Sequence, residues 1–355
     1  MSGIPESLDA LIRVPAPSGY ETPAAEVWRD AASFGDVGAD VLGSSTVSVG
    51  VAEDRPTVAV VGHIDEIGLF VSHVDDEGFL WFGPIGGWDP QNLVGQRVIV
   101  RGSGSGGGGE VPGVIGKKPI HLLEPDDRKK PAEIKSMHID IGAKDRDEAL
   151  TLVSVGDPAV LAAEPLLLPN GRLVSRSLDN RLGSYVALEV ARRIGAGDEV
   201  AVGVVGCAVA QEEIGLFGSA TTGFSLDPDV AIAVDVTHAT DAPGISKQEN
   251  GDHALGSGPV VGRGSTLSPK VSGLLRDAAE AEGIAFTFEA SGRHTGTDAD
   301  SLQVARGGIA TGLVSIPLRY MHSSVETVSL DDVEGAIRLI EAFIRRLDPD
   351  ESFVR

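Results

Sequence analysis

Four apolar runs constrain this chain more than any other feature: residues 58–61 (VAVV), 200–209 (VAVGVVGCAV), 230–234 (VAIAV) and 309–316 (IATGLVSI). They are of strand length, rich in Val, Ile and Ala, and show no polar alternation, as expected of strands covered on both faces. Such strands need helices above and below, and helical patterns lie between them. Residues 179–194 set Leu182, Val186, Val190 and Ile194 at four-residue spacing, one stripe along a helix. Residues 268–281 and 331–347 read the same way, and Ser329 with Asp332 spells a capping box at the start of the latter. The expected class is α/β, with three α/β/α layers.

The middle of the chain reads differently. Short alternating segments at 79–82 and 97–101 are broken by DDEG (75–78), GPIGGWDP (83–90) and GSGSGGGGEVPG (102–113). Close turn signals between short strands predict a small β-barrel over 69–165, inserted into an α/β domain made of 1–68 and 166–355. Asn170-Gly171 marks a hairpin just after the insertion. Gly104, Gly106 and Gly109 spell GxGxxG, but EVPG follows rather than a helix, so we read a β-loop and not a phosphate cradle. His138-Ile139-Asp140 likewise reads as strand. P-loop, GxSxG and HExxH spellings do not occur in the sequence.

Composition narrows the partners. Fifty-two acids against 29 Lys and Arg give a formal net charge of −23, which repels nucleic acid and anionic lipid. One cysteine, Cys207, leaves no disulfide framework and no Cys-rich metal site. The N-terminal residues lack a basic start and a long apolar stretch, and no run approaches the ~18 apolar residues of a spanning helix. The expectation is a cytoplasmic protein bound to neither membrane nor nucleic acid.

Chemistry-bearing residues then collect where strands end, the place where open α/β sheets form binding sites. Among eight histidines, His63 and His322 each follow a buried run. His73, His121, His138, His238, His253 and His294 sit among polar or turn residues and read as structural or exposed. Glu212 and Glu213 follow the 200–209 run, and Asp235 follows 230–234. Asp179 opens a helix and has an N-cap reading beside a functional one. Grouped carboxylates resist ionisation unless a cation joins them. Three carboxylates and two imidazoles suit two divalent ions of the Zn, Co or Mn type, one carboxylate bridging. Asp65, two residues after His63, can accept the imidazole's second N–H. Adjacent Glu212 and Glu213 can share a site only if the chain bends there, and Gly215 would help.

As a set, these blocks resemble peptidase family M42, the tetrahedral or glutamyl-type aminopeptidases. The likeness spans PSGYE (17–21), GHIDEIGLFV (62–71), GVIGKKPIHLL (113–123), IDIGAK (139–144), SLDNRLG (177–183), QEEIGLFG (211–218), AVDVTHATDAPG (233–244), GTDAD (296–300) and SIPLRYMHSSVE (315–326). The resemblance implies a phosphorylase/hydrolase-like catalytic domain interrupted by a PDZ-like dimerisation barrel. It implies a hydrolase, a dinuclear metalloaminopeptidase acting on short peptides, with dimers assembling into a tetrahedral dodecamer. By resemblance His63 and Asp235 hold one ion, Glu213 and His322 the other, and Asp179 bridges. Glu212 is the general base, and Asp65 supports catalysis behind His63. The 294–298 block, with His294, Thr297 and Asp298, falls where the family contacts substrate. Asp300 stands where the family usually has a small residue, which leaves side-chain preference open.

Three alternatives remain at this stage. The same metals could serve an N-acyl amino acid deacylase or another amidohydrolase. Some family members carry an endoglucanase label, but here the carboxylates are all committed to metal or base duty. An inactive assembly scaffold would lack a ligand or Glu212, and neither is missing.

Overall fold

The computed structural model describes residues 3–354. Its centre is a sheet in which the strands Gly203–Val209, Thr57–His63, Val230–His238 and Ala310–Arg319 lie side by side and parallel. Antiparallel strands extend the sheet on both sides, including Ser45–Val49 against Gly203–Val209 and Glu326–Ser329 against Ala310–Arg319. The fold is α/β, as expected, and the reason is visible along one strand. Val58 and Val60 enter a large core with the helices Leu178–Ala196, Pro269–Ala281 and Leu330–Arg346. Ala59 and Val61 enter a second core on the other face, with Leu302 and Leu313. Burying each Val or Leu this way is worth about 1.5–3 kcal/mol, so both faces had to be apolar.

The helix Leu178–Ala196 packs against three of the parallel strands. A Cβ on Gly62 would meet the backbone of Gly183 at 2.2 Å, so only glycine lets strand and helix approach this closely. The strand bearing His63 and the helix bearing Asp179 are locked together at that point.

Between Gly68 and Leu161 six antiparallel strands close into a barrel: Gly68–Val74, Leu80–Ile85, Met137–Asp140, Gly109–Lys117, Arg97–Gly102 and Pro158–Leu161, in spatial order. Val98, Val100, Ile115, Ile139 and Leu161 fill its interior. The glycine run joins Arg97–Gly102 to Gly109–Lys117 as a β-loop, and His138-Ile139-Asp140 lies in a strand. Asn170 and Gly171, both at positive φ, turn the hairpin between Leu166–Leu168 and Arg172–Ser175.

Two local expectations need correction. Ser329 caps its helix by backbone position only, with no side-chain cap bond. Asp332 faces away from a capping role: it is buried and accepts from Gly256 N at 2.7 Å and Gly258 N at 2.8 Å. The strand carrying Asp235 does not end there but runs on to His238.

Candidate functional site

His63 is the last residue of its strand, in register with Val209 on the parallel neighbour. The pairing between Thr57–His63 and Val230–His238 stops at Val61 and Ala233. Two residues later on each strand stand His63 and Asp235, so the crevice opens where the strands part. Beyond Val209 the chain turns sharply, with Gln211 at φ +59° and Gly215 at φ +148°. Glu212 and Glu213 have therefore left the strand, and the opposed directions of strand neighbours no longer apply to them. The bend starts at Gln211, earlier than the glycine suggested.

The residues expected at strand ends converge. Asp179 sends Oδ1 to within 3.3 Å of His63 Nε2 and Oδ2 to within 3.3 Å of His322 Nε2. Glu213 Oε1 lies 3.3 Å from His322 Nε2, and Glu212 Oε2 lies 3.7 Å from His63 Nε2. Donor atoms of His63, Asp179 and Glu213 fall within 4.8 Å of one another, as do those of His63, Glu212 and Asp235. All six line one cavity of about 320 Å³. Asp179 is no helix cap: Ser177 occupies that position.

Asp65 organises the site from behind. Its Oδ1 accepts from Glu212 N at 3.1 Å, and its Oδ2 accepts from Glu213 N at 3.2 Å and Ser18 Oγ at 2.5 Å. His63 Nδ1 lies 3.4 Å from Asp65 Oδ1 and 3.2 Å from the Asp65 carbonyl oxygen. Glu21 completes the turn by accepting from Gln211 N at 3.1 Å.

The electrostatics are those of acids crowded out of water. Burial pushes Glu212 up to about 10, and the carboxylates of Asp235 and Asp298 add to the rise against the opposing pull of His63. Burial also raises Glu213 and Asp235. Burial works against the charge of Asp179, but hydrogen bonds from His322 and His63 hold its pKa well below the usual range. Burial would lower His322, yet Asp179 and Glu213 carry it up to about 11.

Glu326 was not read from the sequence as part of the site. It is buried, and its two oxygens accept from Asp179 N at 3.1 Å and His322 N at 3.0 Å. In the sequence it closes the block SIPLRYMHSSVE, but it opens a short strand of ordinary composition and follows no apolar run that would single it out. Thr237, His238, Glu289 and Thr295 also line the cavity without having been singled out for it. Of the substrate block, Thr297 lines the cavity, Asp298 is buried behind it, and His294 is exposed and off the lining. The barrel contributes too. A Cβ on Gly86 would come within 3.4 Å of Glu213, and one on Gly87 within 3.5 Å of His322 Nδ1.

The family described as M42 glutamyl aminopeptidase matches residues 43–339. A Pyrococcus furiosus protein named lysyl aminopeptidase is 36% identical over 355 residues, covering 97% of each chain. The solved TET aminopeptidase from the marine sediment archaeon Thaumarchaeota archaeon SCGC AB-539-E09 superposes with a TM-score of 0.90 at 37% identity, over 97% of this chain and 96% of that one. The Pyrococcus horikoshii TET1 peptidase, which can assemble into a tetrahedron or a large octahedral shell, gives a TM-score of 0.83 at 32% identity, over 96% and 99% of the two chains. A match over most of the length, joined to relatives alike from end to end, shows that the chain belongs to peptidase family M42.

Proposed function

We propose that this chain removes the N-terminal residue from short peptides, using two divalent ions and Glu212 as the proton carrier. Asp179 carries the reading. One carboxylate has its two oxygens 3.3 Å from two different imidazoles, so it could serve two cations, one beside each imidazole.

The residues present fit such ions. Five acids and three histidines line the cavity, four of the acids and two of the histidines meeting around Asp179, and among the described residues no Lys or Arg lines it to offset them. Buried acids of this density stay ionised together only with a cation. His63 and Asp235 would hold one ion and Glu213 and His322 the other, with Asp179 common to both. Imidazole and carboxylate donors suit Zn²⁺, Co²⁺ or Mn²⁺. When bound, such ions lower the pKa of water and polarise a scissile carbonyl.

The remaining work falls to side chains. Glu212 takes the proton of the attacking water and returns it to the leaving amine, a step of about 10²–10⁴-fold. Asp65 fixes the tautomer of His63 and the backbone of Glu212 and Glu213. The acidic cavity receives a free α-ammonium, and an acylated amine would forfeit that attraction. Thr297, on the lining, contacts substrate. In the same reading, 1–68 and 166–355 form the catalytic unit, and 69–165 the dimerisation unit. Its dimers build a tetrahedral shell of twelve, an assembly supported by likeness to TET peptidases. A single buried free thiol, Cys207, suits a reducing cytoplasm.

The test is hydrolysis of aminoacyl-p-nitroanilides by the purified protein, before and after chelation and metal add-back. Chelation should abolish activity, add-back should restore it, and elemental analysis should find two ions per chain. Activity indifferent to chelation would overturn the mechanism. Faster cleavage of N-acylated than of free-amine substrates would make the protein a deacylase.

A further inference from the structure

We propose that Glu289 selects substrates whose N-terminal residue bears a long basic side chain, lysine or arginine. The inference rests on the aminopeptidase reading above and adds the specificity that reading leaves open. Thr237 lies two residues beyond Asp235 on the same face of the strand Val230–His238, which is about 7 Å further along the cavity wall. Its Oγ1 donates to Glu289 Oε1 at 2.8 Å. Glu289 is thus held about one side chain's length from the acids around His63. That spacing is too long for sharing an α-ammonium with them and matches the ammonium at the tip of an extended lysine.

Among the described residues no Lys or Arg is paired with the Glu289 carboxylate, and its hydrogen bond from Thr237 falls on Oε1, leaving Oε2 for a ligand. On the neighbouring strand Val260–Gly264 its register partner is Gly262, which brings no side chain. The next residue, Arg263, is turned to the other face, its guanidinium carbon 3.9 Å from the centre of the Phe288 ring. His253, the nearby imidazole, is engaged with Thr287 Oγ1 at 2.7 Å, and burial pushes its pKa down, so it is neutral at pH 7. The acids around His63 would be offset by bound cations, whereas Glu289 stands apart from that cluster, tied to Thr237. Leu313, Val236 and Met321 on the lining offer apolar surface to the methylene stem of a basic side chain. An acidic first residue would meet like charge at the same place.

The experiment compares Lys-, Arg-, Leu- and Glu-p-nitroanilide on the metal-loaded protein and on Glu289→Gln, Glu289→Asp and Glu289→Arg. The Lys-to-Leu ratio of kcat/KM should exceed about 10 in the unaltered chain and fall about 10–100-fold in Glu289→Gln, the size of a charge-assisted hydrogen bond. Glu289→Asp, which keeps the charge, should retain much of the preference, and Glu289→Arg should move it towards glutamate. Calorimetric binding of L-lysine against L-leucine reads the same selectivity without turnover. Hydrolysis with no basic preference, a ratio unmoved by Glu289→Gln, or a preference for a basic second residue in dipeptides would overturn the role of Glu289 and leave the aminopeptidase reading intact. Failure to cleave any free-amine substrate, with lysine still bound more tightly, would do the reverse.

Discussion

Asp65 is buried and absent from the cavity lining, yet it touches His63, Glu212, Glu213 and Ser18. Supporting groups of this kind typically govern metal affinity by about 10–100-fold. Asp65→Asn should weaken metal binding by that order in a competitive chelator titration, and Glu326→Gln should do the same by loosening Asp179 and His322. Glu212→Gln should behave in the opposite way, losing about 10²–10⁴-fold in kcat while elemental analysis finds its metal content unchanged. His63, Asp179, Glu212, Glu213 and His322 were legible in the sequence because each closely follows, or opens against, an apolar run that could only be a buried element. Glu326, Thr237 and Glu289 were not. Their importance comes from register: Thr237 and Glu289 meet only because strands 230–238 and 287–291 are folded to the same rim through two others. Periodicity shows which face a residue takes, and says nothing about which distant strand lies opposite.

At the scale of elements, the site depends on how closely strand and helix approach. Gly62→Ala would drive a methyl into the Gly183 backbone, displacing His63 and Asp179 together. Overpacking of this kind costs about 1–3 kcal/mol. The variant should show a lower Tm by calorimetry and a raised KM or weaker metal binding, although the residue changed carries no chemistry. The start of the last helix supplies a second contrast. Ser329→Ala should change stability little, because no side-chain cap bond exists to lose. Asp332→Ala should cost about 1–3 kcal/mol in denaturant unfolding, since two buried backbone donors would lose their acceptor. The spelling Ser-Leu-Asp-Asp matched a capping pattern, but a long-range partner at 256–258 claimed the acid. Helix and strand identity followed from local pattern; the use of polar residues at their ends followed from packing the pattern does not encode.

For the whole molecule, the formal charge of −23 acts most strongly when copies meet. A shell of twelve would multiply that charge twelvefold, and mutual repulsion is screened beyond ~8 Å at physiological salt. Sedimentation across a salt series should therefore show the largest particle favoured as salt rises, and dissociation at higher salt would contradict this. The α/β layers and the barrel were both legible, since continuous apolar runs and turn-broken alternation are different signatures. What they concealed is where the barrel meets the site, at residues with no side chains. Gly86 and Gly87, in the barrel loop, back directly onto Glu213 and His322. Exchanging barrels among related enzymes would consequently transplant part of the catalytic wall along with the scaffold. A chimera that kept its native α/β layers but received a bulkier residue at 86 or 87 would inherit a reshaped centre, so the seam for modular engineering lies outside this loop.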